Sequence, residues 1–469
     1  MNRKSIELYP DYSSEIDELK TKELSIELLY KIIKKHYYNS KYNRNLYKRY
    51  MTLDGELPIF KRKPRFSDDV INNKINNDFF SEIVDFKTGY FAGEPISYGY
   101  SKGEEAESVT GGEVGIDRAT KAITDFVTLN NMFGVDMETT KFASIYGYAG
   151  RLFYIDLDGN IRVMPVHGYE TIILSSTDIS WPEFAVRYYE VQDKDYVKRW
   201  VVEFYDNTYV YIYKGYLSSL KLVEKREHGF DYCPLQGIAN NKELMGDAEK
   251  VLALIDDYDK VLSDNSNEVE SFVHAYMVFK NLRIDDDTIR EAQKNGAIKI
   301  PPVGSSAKEG SVEFLTKNIN DSFTEHHLDR LRDNIYRFSK TPNLNDDSFG
   351  SASGISLKFK LHGLETKCGM FEAKMMDAAQ YMWKLLCAVW AKKNIIVDPL
   401  QITMDFTRNF PLDTLAEAQT VQALIGAGIP REVAYSQLSF VDDVDYVMEM
   451  IENEKNDTVS LLDDEDMNE

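Results

Sequence analysis

Cysteine is scarce in this 469-residue sequence: Cys233, Cys368 and Cys387 are odd in number, far apart and outside any CxxC pair. They support neither a disulfide framework nor a zinc cluster, so a reduced setting is expected. Cations are also short, with 55 Lys and Arg against 77 Asp and Glu and a formal net charge of −22. A protein that grips nucleic acid neutralises phosphates with an excess of cations, whereas this chain on average repels DNA. A surface past which DNA slides without sticking would have this character. Long apolar runs are missing. The most apolar, Met382 to Val397, is broken by Lys384, Lys392 and Lys393, and a bilayer span takes ~20 mostly apolar residues. No apolar stretch follows Met1-Asn2-Arg3-Lys4, so no signal peptide is expected and the protein is expected to be soluble.

Catalytic signatures are equally sparse. None of the seven histidines lies in HExxH, and His326 and His327 are adjacent, so a helix points them in different directions. Asp156-Leu157-Asp158-Gly159-Asn160 opens like a calcium loop, but Ile161 stands where the turn glycine belongs and His167 where the bidentate Glu belongs. A β-turn is the better reading. Gly111-Gly112 lacks the Lys-Ser/Thr of a phosphate-binding loop. No Ser or Cys sits in a nucleophile elbow. Asp285-Asp286-Asp287 and Asp442-Asp443 are neighbours in sequence and read as solvated acids. No enzymatic activity, cofactor or metal is expected.

What is present is long helices around a β-rich middle. A chain of this length needs two or more domains. Residues 1–50 are helical in pattern. Lys31, Lys34, Lys35, Lys41, Arg44, Lys48, Arg49, Lys61, Arg62, Lys63 and Arg65 face only Asp54 and Glu56. They read as a solvated helix face and loop or, more sharply, as a contact with DNA or an acidic partner subunit. Phe79, Ile83, Phe86 and Tyr90 recur at helical spacing until Gly93 and Pro95 stop the helix. Residues 117–140 read as one helix. From Phe142 to about Leu235 short β-rich runs alternate with turns at Asp158-Gly159 and Asp206-Asn207. After Pro234 the chain reads as helical, with Val251, Ile255, Tyr258, Leu262, Asn265, Val269 and Phe272 in a heptad stripe. A mixed insert occupies 273–320, and a helix runs from about Ser322 to Lys340. Residues 341–354 form a polar loop with one Pro and two Gly. The helix from Ile355 to about Lys393 keeps three–four spacing from Leu361 to Val389, and its length makes a rod of roughly 60 Å. Ile402–Phe406 reads as a strand, and Leu412–Ala427 and Arg431–Leu438 as helices. The acidic end, through Asp463-Asp464-Glu465-Asp466, reads as disordered.

Three ordered segments carry a resemblance. They are Asn72–Tyr98, with Asn-Lys-Ile-Asn-Asn-Asp-Phe-Phe; Cys233–Phe272, with Gly246-Asp247-Ala248-Glu249 and Leu254-Ile255-Asp256; and Ser353-Gly354-Ile355-Ser356-Leu357-Lys358-Phe359. Together they resemble the portal proteins of tailed double-stranded-DNA bacteriophages with long non-contractile tails. The resemblance implies an α+β portal fold assembled as a ring, usually a dodecamer, at one capsid vertex of the virion, built in the host cytoplasm. It implies a wing at 1–237, stem helices at 238–272 and 321–340, and a clip at 273–320. A tunnel loop follows at 341–354, then a spine helix and wing return at 355–411, a crown at 412–455 and an acidic tail at 456–469.

The tunnel-loop residues Asn343, Asn345, Asp346, Asp347 and Ser348 would face DNA, with Arg337, Lys340 and Lys358 as flanking cations. Asp285, Asp286, Asp287 and Arg290 of the clip would face the packaging motor and later the head–tail connector. The implied partners are the terminase large subunit, the connector or adaptor, the major capsid protein with its scaffold, and double-stranded DNA, without a membrane. Two other readings share the acidic, helix-rich character. One is a capsid-associated adaptor or scaffold without a DNA channel. The other is a nuclease, which would need an acidic metal cluster that the sequence does not supply.

Overall fold

The computed structural model describes residues 9–53, 55–64, 71–101, 108–192, 196–273, 276–280, 311–315, 321–344, 354–409, 414–436 and scattered positions from 438 to 451. The architecture is α+β. Helices α1 (Ser13–Thr21) and α2 (Ile26–Tyr50) lie on a five-stranded antiparallel meander: β4 (Thr171–Leu174), β5 (Phe184–Gln192), β6 (Lys198–Tyr205), β7 (Tyr209–Tyr216) and β8 (Ser219–Glu227). Ser25 caps α2 by accepting the Leu28 N–H. Leu28, Leu29, Ile32 and Ile33 then bury one face against alternate residues of the sheet, such as Ile172, Leu174, Val186 and Val202.

The Asp206 carboxylate accepts the Thr208 and Tyr209 N–H groups and closes the β6–β7 turn. A second sheet has the order β3-β2-β9, from β2 (Tyr148–Ile155), β3 (Ile161–Val166) and β9 (Leu235–Ala239). Its hairpin turns at Gly159, φ 79°, with Asp156 accepting from the N–H groups of Asp158 and Asn160 and paired to Arg162. The calcium-like run is a turn.

The helical body contains α3 (Phe79–Ala92), α4 (Glu113–Leu129), α5 (Met132–Tyr146), α6 (Leu252–Val273), α7 (Asp321–Ser339) and α8 (Gly354–Lys392). The 39 residues of α8 make the rod expected from sequence, about 60 Å long. Its stripe from Leu361 through Cys368, Phe371, Met375 and Met382 to Val389 is buried at every step. Strands β1 (Ser97–Tyr100) and β12 (Ile402–Asp405) pair antiparallel and return the chain beyond α8 to the body. Strands β10 (Tyr276–Lys280) and β11 (Ser311–Leu315) pair where the mixed insert departs and returns. Helices α9 (Thr414–Gly426) and α10 (Arg431–Tyr435) follow β12.

Four sequence expectations change. The helix of 117–140 is two, α4 and α5, broken where Asn131 takes a left-handed φ of 45°. The chain stays helical to Tyr146, so strands begin at Tyr148 rather than Phe142. After Pro234 comes strand β9, and helix α6 starts only at Leu252, not near 238. The short apolar run of β9 is buried throughout, and such a run suits a buried strand as well as a buried helix. Among the described side chains, the heptad stripe is buried at Val251, just before α6, and at Ile255; farther on the buried positions are Asp259 and Ser263, and Val269 is exposed.

His36 joins α2 to both sheets. Its Nε2 lies 2.9 Å from the Tyr148 hydroxyl and its Nδ1 2.8 Å from the Tyr188 hydroxyl. Tyr148 donates its one hydrogen to backbone carbonyls of Gly168 and Thr171, so it accepts from Nε2–H, and Nδ1 accepts from Tyr188. The ring is therefore neutral. Burial pushes it down to about 3, and burial pushes His167 down to about 4. An unfolded histidine takes a proton near 6.5. The stability these two groups contribute is thus complete above that value and lost as pH falls toward 3–4. Asp259, pushed up to about 6 by burial, acts in the opposite sense and loses its contribution as pH rises through 6. The urea midpoint is expected to fall from pH 7 to pH 5. His36→Gln keeps two hydrogen-bonding ends without a titratable ring and should show a shallower fall. Equal slopes in the two proteins would place the acid sensitivity elsewhere.

Candidate functional site

The loop between α7 and α8 leaves from a strained helix end. Lys340 has a φ of 59°, and the Thr341 N–H reaches the Tyr336 carbonyl at 3.1 Å while the Lys340 N–H reaches that of Arg337 at 3.4 Å. This is a Schellman end, where glycine is the usual left-handed residue and a side chain costs ~1 kcal/mol. The end is held against α8: a Cβ added at Gly363 would lie 3.6 Å from the Lys340 Cβ. Thr341 and Pro342 are buried, Asn343 is half-buried and Leu344 is exposed. Arg337, Lys340 and Lys358 are all exposed. Lys358 is five residues before Gly363 on α8, about 7 Å along the axis, so the structure brings the three cations to one end of the α7–α8 pair. Asn345, Asp346, Asp347 and Ser348 of the loop, and Asp285, Asp286, Asp287 and Arg290 of the insert, lie outside the described residues, as does the acidic tail.

The basic stretch of 31–65 is used largely within the chain. Lys31 and Lys35 hold the buried Glu15 at 2.9 and 2.7 Å, and Lys48 and Lys61 hold Glu56 at 3.0 and 3.1 Å. Arg49 grips both oxygens of Asp256 on α6 at 2.7 and 2.9 Å, Arg62 pairs with Asp264, and Arg44 covers the ring of Tyr169. These seven side chains are engaged within the chain, a use that neither the solvated face nor the contact with DNA or a partner subunit had named.

Next to them the extended segment 71–78 is strapped along the polar face of α6. The N–H groups of Asn73, Ile75 and Asn77 donate to Asn267 Oδ1, Ser263 Oγ and Asp259 Oδ1 at 2.6, 3.0 and 2.9 Å. A strand period of two on the segment meets a helix period of four on α6, so side chains complete the backbone of a lone strand. Asp259 and Ser263 are buried for this reason and not for hydrophobic packing.

Two buried ionic clusters fix the helical body. Asp247 lies between Lys87 of α3 at 3.0 Å and Lys367 of α8 at 3.2 Å, and accepts from Asn240 at 3.2 Å and from Ser144 of α5. Lys87 also donates to Asn240. Burial alone would raise the Asp247 carboxyl, but Lys367 and Lys87 hold it well below the ordinary carboxylate range. The loop carrying Asp247 is pressed onto α5: a Cβ at Gly147, φ 88°, would lie 2.0 Å from the Leu244 carbonyl oxygen. In the second cluster Arg151 donates to Asp136 at 2.7 Å and to Thr139 at 3.2 Å, while Tyr98 donates to Asp136 at 2.6 Å.

Sequence reading missed the strap and both clusters. A signal existed for one: Lys87 stands four residues after Ile83 and seven after Phe80, on the apolar face of its helix. Among the described residues, no group of three or more His, Cys, Asp or Glu could hold a metal ion, and no helix is long and apolar enough to cross a membrane.

The sequence model of the family described as "Phage portal protein, SPP1 Gp6-like" matches residues 30–460. The portal protein of Clostridium phage phiCD119 is 22% identical over 421 residues, covering 84% of this chain and 87% of that protein. The portal protein of Bacillus phage SPP1 is 25% identical over 420 residues, covering 84% of this chain and 79% of that protein.

Proposed function

The chain belongs to the phage portal protein family of the SPP1 Gp6-like type, and from that premise we propose that it forms the ring, a dodecamer, through which double-stranded DNA enters and leaves the capsid. Portal proteins are structural capsid components that work as oligomeric rings with DNA. The observation that supports a channel role here is the α7–α8 pair. Its loop, with Asp346 and Asp347, joins two long helices, while Arg337, Lys340 and Lys358 stand exposed at its base. Acids in the loop sequence keep phosphates from sticking, and cations beside it attract them. Twelve copies at −22 carry about −260 before counterions, so a DNA path needs such local cations.

In this reading residues 1–237 with the return after α8 form the wing, α6 and α7 the stem, 273–320 the clip, α8 the spine and 412–455 the crown. The clip, with Asp285, Asp286, Asp287 and Arg290, meets the terminase large subunit during packaging and the head–tail connector afterwards. The ring is built in the host cytoplasm with major capsid protein and scaffold. Deleting Asn345–Ser348 is expected to leave ring assembly intact and to reduce DNA packaging into procapsids. Packaging at the wild-type level would remove the loop from the mechanism. An adaptor without a channel would be indifferent to the deletion and to reversal of charge at Lys340 and Lys358.

A further inference from the structure

The strap of 71–78 is fastened to α6 by hydrogen bonds and by little else. Ile71 and Ile75 are half-buried, and no strap residue belongs to any of the four apolar clusters of the described residues. The body's cluster takes Leu252, Leu254, Ile255 and Tyr258 from α6, and the later turns meet the strap through Asp259, Ser263 and Asn267 instead. Besides the three N–H bonds, the side-chain amide of Asn73 donates to Glu270 at 2.7 Å. A segment with few buried apolar contacts opens well below the free energy of global unfolding. Helix α3 begins directly after the strap and is anchored in the core by Phe80, Ile83 and Val84, so the strap can leave without the helix that follows it.

The anchor nearest α3 is also a proton site. Asn77 gives both its N–H and its side-chain amide to one oxygen of Asp259, each at 2.9 Å. The other oxygen can take up a proton without breaking either bond. Asp259 is buried and makes no ion pair among the described residues. Asp256 on the same helix repels it, while Arg49 of α2 attracts it but grips Asp256. Arg62 is taken by Asp264, Asp78 accepts from Thr52, and Glu325, Asp329 and Arg332 of α7 bear on the neighbouring Tyr258. Burial therefore pushes the carboxyl up to about 6 while the strap is down. Hydrated beneath an open strap, it would return to about 3.9.

We propose that residues 71–78 are a proton-sensitive strap, which lifts from α6 as one unit while α3 and the body stay folded, and which a proton on Asp259 helps to close. Lifting it uncovers the polar face of α6 as far as Asn267 and loosens the turns of that helix that lead to β10. The closed strap binds the proton more tightly than the open one, so closure is strongest in acid and weakens as pH rises through 6. Between pH 5 and pH 7.5 the ratio of closed to open strap should fall about tenfold.

Hydrogen exchange of the full chain tests this, read by mass spectrometry with electron-transfer fragmentation and corrected for the intrinsic pH dependence. The amides of 71–78 are expected to exchange together, about a hundredfold faster than those of α3, and to show the tenfold pH effect. Ser263→Ala should speed all three tied amides, Asn73, Ile75 and Asn77. Asp259→Asn keeps the acceptor oxygen and should remove the pH effect. Circular dichroism checks each variant; if Asp259→Asn does not fold, the wild-type pH effect and Ser263→Ala carry the test. Strap amides no faster than those of α3, or Ser263→Ala speeding Ile75 alone, overturn the single unit. A wild-type ratio that does not change with pH, or an unchanged pH effect in Asp259→Asn, overturns the proton link.

Discussion

Asp247→Ala is expected to lower folding stability by about 3–5 kcal/mol, because it leaves two lysines in the interior without their anion. Lys87 is fully buried and Lys367 nearly so, and both lie within 3.2 Å of the Asp247 carboxylate. Lys367 makes an ion pair but no aligned hydrogen bond, so the carboxylate is the main offset to its desolvation. Burial lowers the Lys367 ammonium, and removing Asp247 takes away the charge that opposes this shift. The loss should therefore be largest at neutral pH and shrink at alkaline pH as Lys367 discharges. Urea unfolding at fixed protein concentration measures it, since ring assembly adds concentration-dependent stability. Replacing Asp247, Lys87 and Lys367 together by apolar residues of similar size should recover much of the loss. A single-variant cost below 1 kcal/mol would show that the lysines are hydrated in place.

Met375→Asp carries a similar expected cost, about 3–5 kcal/mol, by a different route. Met375 is 2% exposed and belongs to the cluster that contains Phe91, Leu364, Phe371 and Ala378. An aspartate there puts a carboxylate into an apolar cluster, and the thioether's packing is lost as well. Met376→Asp, one residue along and on the open face, is expected to leave the isolated subunit's melting temperature within a degree or two. The pair of variants separates burial from helix propensity. An unchanged melting temperature in Met375→Asp would contradict the buried stripe of α8.

Much of this architecture was legible because it rests on local pattern. The α8 stripe, the α7 helix, the turns at Asp158-Gly159 and Asp206-Asn207 and the loop after Lys340 follow from periodicity and turn chemistry alone. The misplaced boundaries share a cause. Asn130-Asn131 breaks a helix through one left-handed residue, which no apolar spacing announces. Leu235–Ala239 becomes a strand because β2 offers it an edge, a tertiary fact. The strap of 71–78 on α6 and the Lys87–Asp247–Lys367 cluster join residues more than 100 positions apart, so they belong to the fold rather than to any window of sequence. The three cations at the loop base were legible as charges near a loop; that α7 ends against Gly363 of α8, bringing them together, was not.

The central claim is a ring with a channel, and electron micrographs of the purified protein test it most directly. The account predicts closed rings, twelve-fold in end-on class averages, around a channel wide enough for a duplex, ~20 Å. A stable monomer at high concentration, or closed particles without a central channel, would contradict it.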